Sequence, residues 1–371
     1  MQIAIGSYDG LVAGYQLTRT AESANGDATN CFKFTQKFND NSHLGCVKSL
    51  AVSPKGILAS GSTDETIHLF NLEREISIGT LVSHEGDITC LKFVGKDFLY
   101  SGSADGTIRM WRTRIWELQR TFKGHKGAVL HFDVHPSKKL ALSVGADKKL
   151  IAWDLVAGKY SFIRNMKKVC EAVVFNKSGT RYAIRSGSTV DVYDLTATEA
   201  IYTEDIKCHI NDTAFLNDDV FVVAGDSESL ILFDAAKKCR LMEFASHKVR
   251  VRAVVPVRTS SPDSFLLFSC SSDETVKAWS LQLTEKTSVC LASINVCCRI
   301  TSMAVHAPGG SATKLLTAPD AESVPAVVAG KKKKNLTAKK VLPDVTDSTT
   351  KRKGILKDPT VKKAKGSKKL E

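Results

Sequence analysis

Long apolar segments are missing from this 371-residue sequence. No run reaches the roughly 18 consecutive apolar residues of a membrane-spanning helix, which argues against a membrane partner. The first residues, MQIAIGSYDG, contain no basic cluster and no long apolar stretch, so they do not resemble a secretory signal. Segments with helical periodicity and capping residues are also absent. These absences predict an all-β protein that is not inserted in a membrane.

Paired Cys-x-x-Cys motifs are missing as well, although the sequence has 10 cysteines. Structural zinc sites usually combine such pairs with each other or with paired histidines, so the spacing argues against zinc. Without a secretory signal, the expected compartment is reducing, and the cysteines are expected to be free thiols that act as small core residues. We therefore expect no metal and no cofactor.

Acidic side chains are scarce in one region of the chain. Residues 331–371 contain 15 Lys or Arg and 4 Asp or Glu, a net charge of +11, whereas the preceding 330 residues carry 37 basic and 35 acidic side chains, a net charge of +2. A nearly neutral body is thus joined to a strongly basic end. This asymmetry concerns the binding partners rather than the fold.

A short segment recurs seven times along the chain, and each copy ends in an aromatic residue. Segments such as LYSGSADGTIRMW (99–111) and LFSCSSDETVKAW (267–279) combine alternating strands with a Ser-x-Asp turn. A period of about 40–45 residues is that of a four-stranded β-propeller blade. The final aromatic residues, with spacings of 55, 41, 42, 40, 40 and 46, are Tyr15, Phe70, Trp111, Trp153, Tyr193, Phe233 and Trp279.

A histidine, a serine, an aspartate and an aromatic residue recur at matching positions of several units. Three sets are complete, and a fourth has Phe in place of Trp: His84/Ser101/Asp105/Trp111, His125/Ser143/Asp147/Trp153, His247/Ser269/Asp273/Trp279 and His43/Ser60/Asp64/Phe70. Histidine, serine and aspartate also make up a hydrolytic triad, but an active site does not need several copies in one chain. A network that stabilises each blade does, because buried polar groups must be paired. We therefore predict structural tetrads, no catalytic residues and no enzymatic activity.

These repeats resemble the WD40 family. Its Gly-His and Trp-Asp signatures occur literally at Gly124-His125 and Trp153-Asp154. The chain begins in mid-blade, and the strands that the first unit lacks follow later as TSVCLASIN (287–295) and RITSMAVHA (299–307). The two ends therefore complete one blade between them, which leaves no exposed sheet edge. The prediction is a seven-bladed WD40 β-propeller over residues 1–307.

Two units depart from the tetrad pattern. The units that end at Tyr193 and Phe233 lack the histidine, and Gly187 and Ser227 stand where the turn aspartate is expected. We expect apolar packing alone to hold these two blades, which should make them softer than the others.

The composition changes after residue 307. Residues 308–330 form a linker of mostly small residues, and residues 331–371 form a Lys-rich tail without aromatic residues, which is expected to be disordered. Its clusters fit nuclear or nucleolar targeting signals. They also fit sequence-independent contact with RNA phosphates, and a merely solubilising tail is a further alternative. The clusters consist of Lys331, Lys332, Lys333, Lys334, Lys351, Arg352 and Lys353.

Several stretches resemble more specifically the p21-activated-kinase-interacting WD40 proteins, among them HPSKKLALSVGADK (135–148) and VAGDSESLILFD (223–234). This resemblance implies a non-catalytic platform in the nucleolar assembly of the large (60S) ribosomal subunit and in pre-rRNA processing, with pre-60S ribosomal proteins and assembly factors as partners. It also implies an alternative, an adaptor that binds the regulatory region of a p21-activated kinase and restrains its activation. The basic tail independently fits the first role and a location in the nucleus and nucleolus. An enzyme is a third hypothesis, and it would require a cluster of unsatisfied polar groups at the central channel.

Overall fold

The computed structural model describes residues 1–20 and 32–308, which contain 28 strands and no helix. The first fourteen strands are β1 Gln2–Ser7, β2 Val12–Arg19, β3 Phe32–Asp40, β4 Val47–Val52, β5 Ile57–Ser62, β6 Thr66–Asn71, β7 Ile76–Val82, β8 Ile88–Val94, β9 Phe98–Ser103, β10 Thr107–Arg112, β11 Glu117–Lys123, β12 Val129–Val134, β13 Leu140–Gly145 and β14 Lys149–Asp154. The other fourteen are β15 Lys159–Asn165, β16 Ala172–Phe175, β17 Arg181–Ser186, β18 Thr189–Asp194, β19 Tyr202–Asp205, β20 Ile210–Phe215, β21 Val220–Gly225, β22 Ser229–Asp234, β23 Cys239–Ala245, β24 Val251–Arg258, β25 Ser264–Ser271, β26 Thr275–Gln282, β27 Thr287–Asn295 and β28 Ile300–His306.

The strands form seven antiparallel sheets of four strands each, which are the blades of a β-propeller. Blades 1 to 6 each use four consecutive strands, and blade 7 has the order β28-β1-β2-β3. In blade 7, β1 pairs with β28, with Ala4 opposite Ala304 and Gln2 opposite His306. The predictions of seven blades and of closure by the two ends of the propeller are therefore confirmed. The six blades of consecutive strands are β4–β7, β8–β11, β12–β15, β16–β19, β20–β23 and β24–β27.

The innermost strand of each blade contacts the innermost strand of the next, and β28 contacts β4, so the ring is closed. The apolar core lies between adjacent blades. One cluster, for example, joins Leu17 and Ile300 of blade 7 to Phe268 of blade 6. Apolar burial of this kind is the main stabilising contribution, at about 25 cal/mol per Å² of buried apolar surface.

The position of a strand in its blade follows from its sequence. The second strand of blade 6, SFLLFSCS, is buried along its whole length, because neighbouring blades cover both of its faces. The outermost strand of blade 3, KYSFIRN, lies at the rim, and nearly every residue in it is exposed. Burial therefore decreases from the inner strands of a blade to its rim.

The Ser-x-Asp turns between the second and third strands place one residue in the left-handed region. Its φ is 66° at Glu65, 80° at Gly106, 59° at Lys148 and 63° at Glu274. Glycine adopts this conformation without steric cost. For other residues it costs conformational energy, because Cβ lies close to the backbone.

Residues 309–371, which include the Lys-rich tail and almost all of the predicted linker, lie outside the described residues. The domain boundaries proposed there remain predictions. Among the described residues there is no helix of the length and apolarity needed to cross a bilayer.

Candidate functional site

Blade 3 shows how the residues of a predicted tetrad are arranged. His125 lies in the loop that enters β12, with Nδ1 2.9 Å from Asp147 Oδ1 and Nε2 2.7 Å from Ser143 Oγ. Trp153 on β14 donates its indole N–H to the same serine hydroxyl at 2.8 Å. Four side chains from separate segments thus form one continuous chain of hydrogen bonds.

Blade 2 repeats this arrangement. His84 lies 2.8 Å from Asp105 and 2.7 Å from Ser101, and Trp111 donates to Ser101 at 2.9 Å. The same chain of donors and acceptors therefore connects the entering loop, the second strand, the turn and the third strand in both blades.

Blade 1 retains the histidine contacts without the indole. His43 lies 2.8 Å from Asp64 and 2.8 Å from Ser60. Phe70, which replaces the tryptophan, has no N–H group and instead stacks on Phe38 of blade 7, with ring centroids 4.1 Å apart. A ring stack between blades thus takes the place of a hydrogen bond within the blade.

Blade 6 departs from the expected direct contact between histidine and aspartate. His247 Nε2 lies 2.7 Å from Ser269, and Trp279 donates to Ser269 at 2.9 Å. Nδ1 of His247, however, is 2.9 Å from the Thr275 hydroxyl and 3.4 Å from Asp273 Oδ1. In this blade the threonine hydroxyl thus lies closer to the imidazole nitrogen than the predicted aspartate does, and the aspartate remains within ion-pair distance.

Burial and hydrogen bonding shift the pKa values of the tetrad side chains in opposite directions. Burial lowers the pKa of His84, although the hydrogen bond to Asp105 partly compensates. Burial alone would raise the pKa of Asp105, but hydrogen bonds from His84 and Thr107 outweigh it and lower the pKa. In blade 6, burial lowers the pKa of His247 to about 4. Near neutral pH these shifts favour a neutral imidazole beside an ionised carboxylate.

The serines of the complete tetrads cannot act as nucleophiles in this geometry. Ser101, Ser143 and Ser269 are 0% exposed. Each hydroxyl oxygen already accepts an indole N–H and contacts an imidazole, so no approach is open to a substrate carbonyl. These contacts support the interpretation that the tetrads are structural.

Blades 4 and 5, which lack the histidine, contain stacked aromatic rings at the position of the indole. Tyr182 and Tyr193 stack with centroids 5.2 Å apart, and Phe221 and Phe233 stack at 5.4 Å. In both blades the two rings occupy directly paired positions of the second and third strands. The ring pair fills the space that a tryptophan occupies in the other blades.

Blade 4 also contains polar contacts, contrary to the expectation of apolar packing alone. The buried carboxylate of Asp191 lies 2.8 Å from Lys168 Nζ and accepts the Thr203 hydroxyl at 2.8 Å. A buried carboxylate is costly unless it is paired. The prediction was therefore wrong for this blade, since the partners come from segments that the repeat pattern does not align.

Side chains on the innermost strands join neighbouring blades. Thr89 donates to the Val129 carbonyl at 2.7 Å, which connects blades 2 and 3. Asp133 accepts the Phe175 N–H at 2.9 Å and lies 2.8 Å from Lys92 Nζ, which connects blades 2, 3 and 4. The buried Asp133 carboxylate is therefore paired with a cation and a backbone N–H from the two neighbouring blades.

Three potential metal ligands meet beside the tetrad of blade 1. Donor atoms of His43, Asp64 and His68 lie within 4.8 Å of one another, and no other His, Cys, Asp or Glu group of this kind occurs in residues 1–20 and 32–308. Both ring nitrogens of His43 already contact Asp64 and Ser60. A metal ion could be held here only by replacing the hydrogen bond between His43 and Asp64.

The cysteines are free thiols at all nine described positions. Cys90, Cys170 and Cys270 are buried as expected, and burial raises the pKa of Cys90 to about 12. Cys239 and Cys297 are exposed, so the expected core location is wrong for them. Cys239 begins an outermost strand, and Cys297 lies in the loop between β27 and β28.

The geometry of repeated blades agrees with the similarity of the chain to known proteins. A model of the WD40 family, described as WD domain, G-beta repeat, matches residues 32–71, 76–112, 116–154 and 238–280. The chain is 35% identical to a p21-activated protein kinase-interacting protein 1-like of Xenopus laevis, over 84% of this chain and 83% of the relative. The chain belongs to the WD40 family of p21-activated protein kinase-interacting proteins.

Other relatives are a p21-activated protein kinase-interacting protein 1 of Homo sapiens and Protein MAK11 of Saccharomyces cerevisiae. Identity to the human protein is 33% over 82% of this chain and 77% of the relative. Identity to the yeast protein is 32% over 48% of this chain and 45% of the relative. Between its matched segments the family model leaves out residues 155–237, which contain blade 4 and the first three strands of blade 5. These two blades lack the tetrad histidine.

One surface feature of this WD40 protein was missed by the sequence analysis. The loops that enter the innermost strands and the turns between second and third strands form one face of the ring, which we call the tetrad face because it contains the tetrad histidines and aspartates. On this face, Arg250 and Arg252 both contact Ser272, and Arg299 of the next blade lies near them and over the exposed ring of Tyr8. The sequence signal was an arginine directly before the innermost strand in two consecutive blades, in HKVRV and CCRIT.

Proposed function

We propose that this protein is a non-catalytic scaffold in the nucleolar assembly of the large (60S) ribosomal subunit and in pre-rRNA processing. Pre-60S ribosomal proteins and assembly factors are its partners, and the nucleus and nucleolus are its location. The observation that carries the proposal is the joining of a nearly neutral propeller, with a net charge of +2 in residues 1–330, to a segment of +11 in residues 331–371.

The propeller supports the scaffold part of the proposal. The polar groups that a triad would need are used within the blades, and the serine hydroxyls of the complete tetrads are buried. A closed ring of seven blades offers surface loops on both faces for other macromolecules, and the unpaired strand edges of its blades lie at the rim and at the central channel.

The basic segment supports the ribosomal part. A Lys-rich chain is attracted to RNA phosphates by a sequence-independent, salt-dependent interaction, and such clusters also act as nuclear addresses. An RNA-rich assembly site in the nucleolus suits both roles. A tail of this charge would also bind non-specifically to RNA in solution.

Depletion of the protein tests the proposal. We expect fewer free large subunits relative to small subunits on sucrose gradients, and co-sedimentation of the protein with large-subunit precursors. A normal subunit ratio after depletion would exclude a role in large-subunit assembly.

Charge-matched tail variants distinguish a targeting signal from general attraction to RNA. Replacement of Lys331–Lys334 by Gln removes four charges from one cluster, and replacement of Lys362, Lys363, Lys365 and Lys368 by Gln removes four charges elsewhere in the tail. A targeting signal predicts that only the first variant leaves the nucleolus. Equal redistribution of both variants would show that total charge determines the location, and no redistribution would place the address in the propeller.

A second candidate function is that of an adaptor which binds the regulatory region of a p21-activated kinase. The names of the frog and human relatives state an interaction with this kinase. Binding of the purified full-length chain to the kinase regulatory segment at micromolar concentration would support this role. Absence of binding at that concentration, together with a defect in large-subunit assembly, would leave the scaffold role alone.

A further inference from the structure

Three arginines of blades 6 and 7, Arg250, Arg252 and Arg299, meet on the tetrad face and form no direct ion pair with a described carboxylate. Arg250 and Arg252 both donate their Nε–H to the Ser272 hydroxyl, each at 3.1 Å. Arg299 lies in the loop that enters β28, the next blade in the ring. The arginine–carboxylate ion pairs of residues 1–20 and 32–308 involve other arginines, namely Arg109, Arg181, Arg185 and Arg240.

Arg250 and Arg299 occupy the same position in their two blades. The Arg250 carbonyl accepts the Ser272 N–H at 3.2 Å, and the Arg299 carbonyl accepts the Tyr8 N–H at 2.9 Å. Each arginine side chain then lies against the turn residue of its own blade. Arg299 is placed over the Tyr8 ring, 5.1 Å from its centroid, and the tyrosine is 56% exposed.

The three guanidinium groups are close enough to repel one another. Burial lowers the pKa of Arg252, and the charges of Arg250 and Arg299 lower it further, while Asp226 acts in the opposite direction. Asp226 is itself engaged, because its Oδ1 accepts the Asn211 side-chain N–H at 2.9 Å. An anion bound among the three cations would remove this repulsion.

An open cleft of about 570 Å³ adjoins these residues. Lys248, Arg250, Ser272 and Arg299 line its basic side, and Lys248 and Arg299 are exposed. Asp226 and Glu228 also line the cleft, so it contains acidic as well as basic side chains. Because Arg299 both lines the cleft and lies over the Tyr8 ring, a linear anion held by the basic residues would extend to the tyrosine.

We propose that Tyr8, Lys248, Arg250, Arg252 and Arg299 form a binding site for single-stranded RNA. Phosphate oxygens accept hydrogen bonds from the guanidinium groups, whose planar fork matches phosphate geometry. An unpaired base stacks on the exposed side of the Tyr8 ring, as bases do in single-strand binding proteins. The choice of RNA as the source of the phosphates rests on the proposed function. An acidic peptide would use the cations but would have no base to stack on Tyr8.

The first test measures binding of the full-length chain to a fluorescent oligouridylate by anisotropy over a series of salt concentrations. The test variant is Arg250→Glu/Arg299→Glu. Its control is Lys55→Glu/Arg114→Glu, which makes the same change in net charge in turns at the other ends of the strands. We expect at least about tenfold weaker binding for the test variant, with a slope of log K against log salt that is smaller by about 1.4 for two lost phosphate contacts. The control should retain the wild-type slope, because the Lys-rich tail is unchanged in both variants.

The second test isolates the stacking interaction. Tyr8→Ala should weaken oligouridylate binding by about fivefold or more, and Tyr8→Phe should retain it, because stacking requires the ring and not the hydroxyl. Tyr160→Ala removes a comparably exposed tyrosine, 55% accessible, from an outermost strand and should have no effect. Melting curves of each variant establish that the propeller is folded, and Arg250→Gln/Arg299→Gln replaces the Glu variant if the latter does not fold.

Equal binding by the test and control variants would overturn the proposal. The proposal would also be wrong if Arg250→Glu/Arg299→Glu lost binding to an acidic peptide while its binding to oligouridylate was unchanged. If the site fails these tests but depletion still lowers free large subunits, the proposed function stands without it. If the site binds RNA but depletion leaves the subunits normal, the RNA site stands and the ribosomal role fails.

Discussion

Nδ1 of His247 and the nearest carboxylate oxygen of Asp273 lie 3.4 Å apart, whereas the corresponding pairs in blades 1, 2 and 3 lie at 2.8, 2.8 and 2.9 Å. The Thr275 hydroxyl is the additional member of this network, 2.9 Å from the imidazole and 2.5 Å from Asp273. The imidazole therefore faces a neutral hydroxyl more closely than a carboxylate. A protonated His247 would gain less from this arrangement than it loses by leaving water.

Stability should fall as the pH falls from 7 to 5, because of His247 and His131. Burial lowers the pKa of each to about 4, from an ordinary value of 6.5. Between these values the unfolded chain binds more protons than the folded chain, so the free energy of unfolding decreases as the pH decreases. For His247 alone the decrease from pH 7 to pH 5 is about 2 kcal/mol. Urea unfolding at a series of pH values measures it.

A matched substitution identifies the groups responsible for this pH dependence. His209 is half-exposed, so His209→Gln serves as the control for loss of an imidazole from the surface. His247→Gln should make the slope shallower, whatever its effect on stability at pH 7. A slope that is the same in both variants would show that His247 does not titrate in this range.

Asp147→Ala should destabilise the protein by about 1–3 kcal/mol, because it leaves His125 and backbone N–H groups without an acceptor. The carboxylate contacts His125 at 2.9 Å and accepts the Lys126 N–H at 3.0 Å. Asp97→Ala is the control, since Asp97 is exposed and should change stability by no more than about 0.5 kcal/mol. Chemical denaturation of both variants measures the difference, and equal midpoints would argue against a structural role for the tetrad.

Trp153→Phe should cost about 1–2 kcal/mol, because it removes the indole donor to the Ser143 hydroxyl as well as part of a buried ring. Trp116→Phe provides a comparison, since this partly buried residue packs against the core and no hydrogen bond of its indole is seen among the described residues. Thermal melts should therefore show a larger loss for Trp153. A larger loss at Trp116 would mean that ring volume, and not the hydrogen bond, determines the effect.

The tetrads could be predicted from the sequence because their members recur in register, unit after unit. The stacked ring pairs that replace the tetrad tryptophan in blades 4 and 5 could not be predicted, because they depend on which residues face each other across two strands. Where the third strand has tryptophan, the residue opposite is Leu99, Ala141 or Leu267. In blades 4 and 5, which lack both the histidine and the tryptophan, it is Tyr182 or Phe221. A periodic pattern gives the face of a strand but not the partner on the next one.

The cationic surface escaped prediction for a different reason. Tyr8 and Arg299 stand near opposite ends of the described chain, and only the pairing of β1 with β28 brings them together. Sequence analysis predicted that pairing, but a strand pairing does not specify which loop side chains meet above it. The contacts between Arg250, Arg252 and Ser272 likewise depend on the bulge in the pairing of β24 with β25, between Val251 and Ala253.

The turns of the tetrad face allow a test with two substitutions that should have opposite effects on stability. Glu274, with a φ of 63°, and Gly106, with a φ of 80°, occupy equivalent left-handed positions. Glu274→Gly should stabilise the protein by about 0.5–1 kcal/mol, because a side chain in this region costs more than the added freedom of glycine in the unfolded chain. Gly106→Ala should destabilise it by about 1–2 kcal/mol, because a Cβ there strains the backbone. That Cβ would also lie only 3.2 Å from the Gly127 carbonyl oxygen.

Melting temperatures of the two variants should move in opposite directions from the wild-type value. If both move the same way, the left-handed turn is not the source of strain, and the Asp side chain that anchors each turn determines its stability instead.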